Sequence, residues 1–213
     1  MKRSLIVFAF VCLGTGLHAQ TTRALYKATA VGNIAQIEHL VSNDIMEVDA
    51  VDENGWTALI YAVEFEKTGS LFKLIQLGAD VNYRDTAGRT PFMHAAAKGN
   101  IEIAERLVQF GADVTLKDFS GESALMTAAR HGSTGMIIEL VRKYSFDINE
   151  RDKNNRTALM HASWNGHKYT VAMIIMLGAD VDAVDNDGWS ALTRSVNFQQ
   201  TKTTELLEMF GAE

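Results

Sequence analysis

The aspartate at Asp52 returns as Asp85, Asp118, Asp152 and Asp185, at gaps of 33, 33, 34 and 33 residues. No other feature constrains the fold as much, because a chain that repeats one unit buries each copy against the next. The unit is clearest from Asp85 to Val114. Residues 85–88 are polar and end in glycine, which suits a tight turn. Thr90 can cap a helix, and Pro91 follows at the first helical position, where its missing N–H costs nothing. A short Ala-rich helix to Lys98 is predicted, stopped by Gly99. Ile101, Ile103, Ala104, Leu107 and Val108 share one face of a second helix that stops at Gly111. Two helices this short cannot bury their apolar faces alone.

The apolar residue that starts the first helix recurs with the same gaps, at Leu59, Phe92, Leu125, Leu159 and Leu192. Gly-Ala-Asp closes the unit at Gly78, Gly111 and Gly178, and Gly211-Ala212-Glu213 is a shortened version. The strings Gly88-Arg-Thr-Pro-Phe-Met-His-Ala-Ala, Gly55-Trp-Thr-Ala-Leu, Asn155-Arg-Thr-Ala-Leu-Met-His-Ala-Ser, Gly78-Ala-Asp-Val-Asn and Gly178-Ala-Asp-Val-Asp resemble the ankyrin-repeat family. The resemblance covers about residues 22–213. It implies an all-α solenoid of about six helix-turn-helix repeats with short hairpin-like fingers. The repeats fall at about 22–51, 52–84, 85–117, 118–151, 152–184 and 185–213. Several copies depart from the pattern. Glu66-Lys67 and Gln199-Gln200 replace the glycine between helices, and Asn155 replaces a turn glycine but tolerates a left-handed backbone. In the fourth repeat, residues 142–147 replace Gly-Ala-Asp, and the extra residue is expected in a loop. The last repeat is polar, as a capping repeat needs to be.

The chain is 47% hydrophobic and 22% charged, ordinary for a soluble folded protein. Its net charge is −6, with no run of Lys or Arg after residue 3, so nucleic acid is not an expected partner. The same acidity argues against binding an anionic membrane surface. Met1-Lys2-Arg3, an apolar stretch to Gly16 and Leu17-His18-Ala19 form the pattern of a signal peptide, cut after Ala19. That stretch is shorter than the ~20 residues needed to span a bilayer. Val11 precedes Cys12 where a lipidation signal has a small residue. The cleaved chain, 20–213, would hold 18 basic and 26 acidic residues and no cysteine. A cysteine-free domain can sit in an oxidising compartment without mispairing. Export to a bacterial periplasm or secretion, as a monomer with no membrane insertion after cleavage, is the expectation.

No phosphate loop, His-Glu-x-x-His pair or Gly-x-Ser-x-Gly elbow is present. His94 and His161 occupy equivalent places two repeats apart. At about 10 Å per stacked repeat they are about 20 Å apart and cannot share a metal. The opening aspartates are read as bonding their own turns. Asn155-Arg156-Thr157 matches a glycosylation acceptor, but Thr157 is already explained as a helix cap. No catalytic residue, metal site or cofactor is expected.

In the family the chain resembles, partners meet the fingers and the exposed ends of the first helices, which together line a concave groove. Carried over, the finger residues are Trp56, Arg89, Glu122, Arg156 and Trp189. The helix ends supply Phe65, Lys98, Arg130, His131, Trp164 and Phe198, with Tyr83 and Phe119 flanking fingers. Trp, Tyr and Arg are the residue types that dominate interface energies. Arg89, Lys98, Arg130, Lys153 and Arg156 make the middle basic, which suggests a partner with a negative patch flanked by apolar surface. The alternative is that the aromatic rings only pack between fingers. The expected function is a non-catalytic scaffold that binds another protein, and similarity to exported bacterial ankyrin-repeat proteins suggests supporting or protecting it. An antagonist or immunity protein that neutralises a toxin or enzyme is the second reading. An enzyme framed on the scaffold is the third.

Overall fold

The computed structural model describes residues 22–43 and 45–212. The expected leader with Cys12 and its cut after Ala19, and the last residue of the shortened terminator, lie outside the described residues. Those described form twelve helices and no strand, with one isolated bridge between Val184 and Ser190. They fall in two compact units, divided between Thr86 and Ala87. The first holds α1 (22–31), α2 (Ile34–Ser42), α3 (Ala58–Glu64) and α4 (Thr68–Gln76). The second begins with α5 (Pro91–Lys98), α6 (Ile101–Gln109), α7 (Ala124–Arg130) and α8 (Thr134–Tyr144). It ends with α9 (Ala158–Trp164), α10 (Lys168–Met176), α11 (Ala191–Asn197) and α12 (Thr201–Met209). Among the described residues no helix is long and apolar enough to cross a membrane.

In the second unit the first helices α5, α7, α9 and α11 pack in one row, and the second helices α6, α8, α10 and α12 in another. Each first helix also packs on its own second helix. The repeated apolar residues fill the space between: Phe92, Leu125 and Leu159 are almost wholly buried. Burying each stabilises the stack by about 1.5–3 kcal/mol. In the first unit α4 packs on both α2 and α3, and Leu59, Leu71 and Leu74 are fully buried.

The helix starts are fixed as the repeat suggests. Thr57, Thr90, Ser123, Thr157 and Ser190 each accept a hydrogen bond from the N–H three residues on. Each such cap contributes about 1 kcal/mol. The opening aspartates hold the fingers. One oxygen of Asp52, Asp118, Asp152 and Asp185 accepts N–H bonds from the residues two and four further on. Within the second unit Phe119 N–H donates to Ala87, Lys153 N–H to Ser120 and Asn186 N–H to Asn154, so each finger is tied to the previous one. The approach is close at Gly88 (φ +85°), where a Cβ would sit 2.8 Å from the Phe119 ring and backbone nitrogen. The second helices are tied in as well. Ser133 donates to the Ala97 carbonyl, His167 Nε2–H to Arg130 and Gln200 to Trp164.

The departures from the repeat have local answers. Glu66, Asn155 and Gln199 all adopt the left-handed backbone that glycine takes in the other copies, at φ 54°, 58° and 56°. The extra residue of the fourth repeat does not form the expected loop. It lengthens α8 to 11 residues, against 9 in α6 and α10. The helix ends at Ser145 in the left-handed region (φ 58°), and Phe146 N–H donates back to Leu140. The helix extends because Arg142, Lys143 and Tyr144 are helix-compatible and no glycine interrupts them. Tyr144 then meets Phe92 edge-on at 6.0 Å.

Candidate functional site

Nine residues after Asp52, Asp152 and Asp185 the first helix presents one side chain back to the opening aspartate: Tyr61, His161 and Arg194. In the first unit the Tyr61 hydroxyl donates to Asp52 at 3.0 Å. Burial, and then Asp52, pushes its pKa up to about 12. Tyr26 stacks on it with ring centroids 4.6 Å apart, and Trp56 meets its edge at 5.6 Å. Phe65 lies parallel to Tyr61 at 6.2 Å and is half exposed. Burial also holds the Tyr26 hydroxyl protonated, with Asp52, Tyr61 and Tyr83 adding to the effect. Trp56, Phe65 and Tyr83 thus border one aromatic cluster, and its central rings came from Tyr26 and Tyr61, not from the finger pattern.

In the second unit the corresponding face is built of charges and rings. Arg194 is buried and paired with Asp185, and Arg156 Nε lies 3.8 Å from the same carboxylate oxygen. Burial alone would raise the Asp185 pKa. The N–H of Trp189, the Arg194 guanidinium and the N–H of Asp187 outweigh it and hold the carboxyl below its ordinary value. The Arg194 guanidinium lies 4.8 Å from the Trp164 ring and 5.5 Å from the Trp189 ring, while Arg156 lies 5.7 Å from Trp164. Trp164 contacts Phe198 at 4.8 Å, and Phe198 is 43% exposed. Arg156, Trp164, Trp189 and Phe198, expected separately on fingers and helix ends, are one cluster centred on Arg194.

One repeat earlier, Arg130 is paired with Glu122, a finger residue that is buried rather than presented to solvent. His161 Nε2 lies 3.8 Å from Glu122 and 3.6 Å from Asp152. Burial works to raise the Asp152 pKa. The neighbouring His161 and the N–H groups of Arg156 and Asn154 outweigh it, so the carboxyl is held low. Beside this group, Arg89, Asp118, Arg130 and His131 border a cleft of about 180 Å³. His131 is exposed, and its Nδ1–H donates to the Thr127 carbonyl. Lys98 is exposed at the end of α5, and Phe119, 58% exposed, has its ring against Gly88.

Two consequences differ from the sequence expectation. Arg130 and Arg156 face Glu122 and Asp185, so these two of the expected positive charges are paired within the chain, while Lys153 donates to the Phe119 carbonyl. Glu122, Asp152 and His161 converge, whereas the spacing of equivalent histidines predicts no metal cluster. The nine-residue spacing from Asp152 to His161 was a signal for that pair, but not for Glu122.

Comparison with known proteins agrees with this architecture. The pattern of the family described as Ankyrin repeats (3 copies) matches residues 3–85, 66–152, 92–185 and 135–213. Human 2-5A-dependent ribonuclease is 38% identical over 182 residues, covering 81% of this chain and 25% of that protein. Human neurogenic locus notch homolog protein 2 is 34% identical over 161 residues, covering 76% of this chain and 5% of that protein. The chain therefore spans a quarter or less of the length of these relatives. With the family pattern running through both units, the chain belongs to the ankyrin-repeat family.

Proposed function

We propose that this chain is a non-catalytic scaffold that binds another protein through the finger and first-helix faces of its repeats. Ankyrin repeats are in general protein–protein interaction scaffolds. The observation that supports the reading most is the cluster around Arg194, whose tryptophans and arginines end at an exposed Phe198 edge. Aromatic residues with arginine, held rigid before binding, are the usual anchors of an interface. The contributing residues of the second unit are Arg156, Trp164, Trp189 and Phe198, with Arg89, Lys98, Phe119, Arg130 and His131 around them. Those of the first are Trp56, Phe65 and Tyr83. Because Arg130 and Arg156 already face acids, these two meet the partner as paired guanidinium groups beside the ring edges. Export through a cleaved segment 1–19, to a periplasmic or secreted monomer, belongs to the same proposal.

The test is quantitative capture from the compartment that holds the chain, comparing wild type with Trp164→Ala/Phe198→Ala. Loss of such anchors costs about 2 kcal/mol or more, so retention of the bound protein is expected to fall more than tenfold. Equal retention by both chains removes this face from the reading. The amino terminus of the recovered chain, read by mass spectrometry, is expected at Gln20.

A further inference from the structure

Glu122, Asp152 and His161 are brought together from the finger of one repeat, the opening of the next finger and helix α9. One ligand atom from each lies within 4.8 Å of the other two. All three side chains are more than nine-tenths buried as residues. His161 Nε2 and Asp152 Oδ2 have no hydrogen-bond partner, and their separation of 3.6 Å is too long for an N–H···O bond. Two buried polar atoms left facing each other without a bond are costly, which makes the arrangement unusual in a folded protein. A histidine placed to bond one carboxylate would approach it more closely; this one stands almost equally far from two.

We propose that Glu122 Oε1, Asp152 Oδ2 and His161 Nε2 bind a divalent first-row transition ion, Zn²⁺ foremost. Zinc takes imidazole and carboxylate donors at ~2.0–2.2 Å in tetrahedral geometry, which places neighbouring donors about 3.3 Å apart. The observed 3.6 Å and 3.8 Å from His161 need a contraction of about half an ångström or less, and the two carboxylates, within 4.8 Å of each other, one of up to about 1.5 Å. An imidazole with two carboxylates suits zinc better than Ca²⁺ or Mg²⁺, which favour oxygen alone. Asp152 is already oriented for the task. Its Oδ1 is held by the N–H groups of Asn154 and Arg156, which leaves Oδ2 for the ion. A single ion satisfies both orphaned atoms and clamps two repeats together. It also competes with Arg130, which pairs with the same Glu122 oxygen and whose side chain is 41% exposed. Binding the ion releases that guanidinium to the surface, next to Arg89 and His131.

The experiment titrates ZnCl₂ into the full-length chain stripped with a chelator, with calorimetry for stoichiometry and imidazole NMR for the His161 nitrogens. One ion per chain and a shift confined to His161 Nε2 are expected. At free zinc one hundred times its Kd, the folded-to-unfolded ratio rises about 100-fold. Glu122→Gln and His161→Gln lower affinity by more than the roughly 10–100-fold that follows loss of an outer partner of a metal ligand. Arg130→Ala, which removes the competing cation, tightens binding. Absence of a stoichiometric ion, or an affinity unchanged in Glu122→Gln, overturns the proposal. Glu122 lies on a finger outside the helices, so its variant keeps the test decisive even where His161→Gln fails to fold. Zinc held equally by all variants places it elsewhere in the chain and overturns the proposal too.

Discussion

At the scale of single residues, the second unit buries full charges, Asp152, Asp185 and Arg194 among them. Asp185 shows why this is tolerated. Its Oδ1 closes the finger and its Oδ2 faces two guanidinium groups, so the buried charge is matched on both sides. Its pKa is lowered in the folded chain from an ordinary value of 3.8. A lowered carboxylate contributes stability that is fully present above 3.8 and is lost as pH falls through the lower folded value. Asp152 has the same sign. Asp185→Asn keeps an oxygen for the finger N–H groups but leaves Arg194 buried without its counter-charge. Breaking a buried pair in this way costs about 3 kcal/mol. Urea unfolding is expected to show that loss at pH 7, with the variant less sensitive than wild type to acidification below pH 4. A variant with the wild-type pH dependence assigns the acid sensitivity elsewhere.

At the scale of elements, the repeat left little of the fold hidden. Asp52, Asp118, Asp152 and Asp185, the Thr and Ser caps, and the buried Leu59, Leu125 and Leu159 each announce one structural task, and each performs it. What was hidden are the tasks shared between copies. Nothing local to Glu122 says that it turns inward, because its partners Arg130 and His161 are 8 and 39 residues away. The lengthening of α8 was equally hidden, since insertion shows where a residue is added and not whether a helix absorbs it. The ends of α3 and α11 were more legible. Glu66 and Gln199 stand where other copies have glycine, and both are held at positive φ. That backbone costs a residue with a Cβ about 1–2 kcal/mol, partly offset by the greater freedom glycine has when unfolded. Glu66→Gly and Gln199→Gly are each expected to raise unfolding free energy by about 0.5–1 kcal/mol in chemical denaturation. A loss of stability of that size instead shows that the side chains, not the backbone, decide these two helix ends.

At the scale of the molecule, the two compact units share one construction, yet their candidate faces differ in chemistry. The first gathers Tyr26, Trp56, Tyr61 and Phe65, and the second alternates acids, arginines and tryptophans. The core beneath is the same in both, so the differences sit on a scaffold that tolerates them. That tolerance follows from nearest-neighbour packing, in which α7 contacts α5, α8 and α9 and the load passes from one repeat to the next. Leu125 tests how local the stability is. It is fully buried in α7, and Leu125→Ala removes packing worth about 2–5 kcal/mol. Within the second unit, hydrogen exchange followed by mass spectrometry is expected to show the largest loss of protection in α7 and α8. Smaller losses are expected in α5, α6, α9 and α10, and the least in α11 and α12. A graded loss means that a partner can engage some repeats while others breathe. An equal loss in all eight helices means instead that the second unit opens as one cooperative block, and that a ligand at any one repeat, ion or protein, stabilises the whole of it.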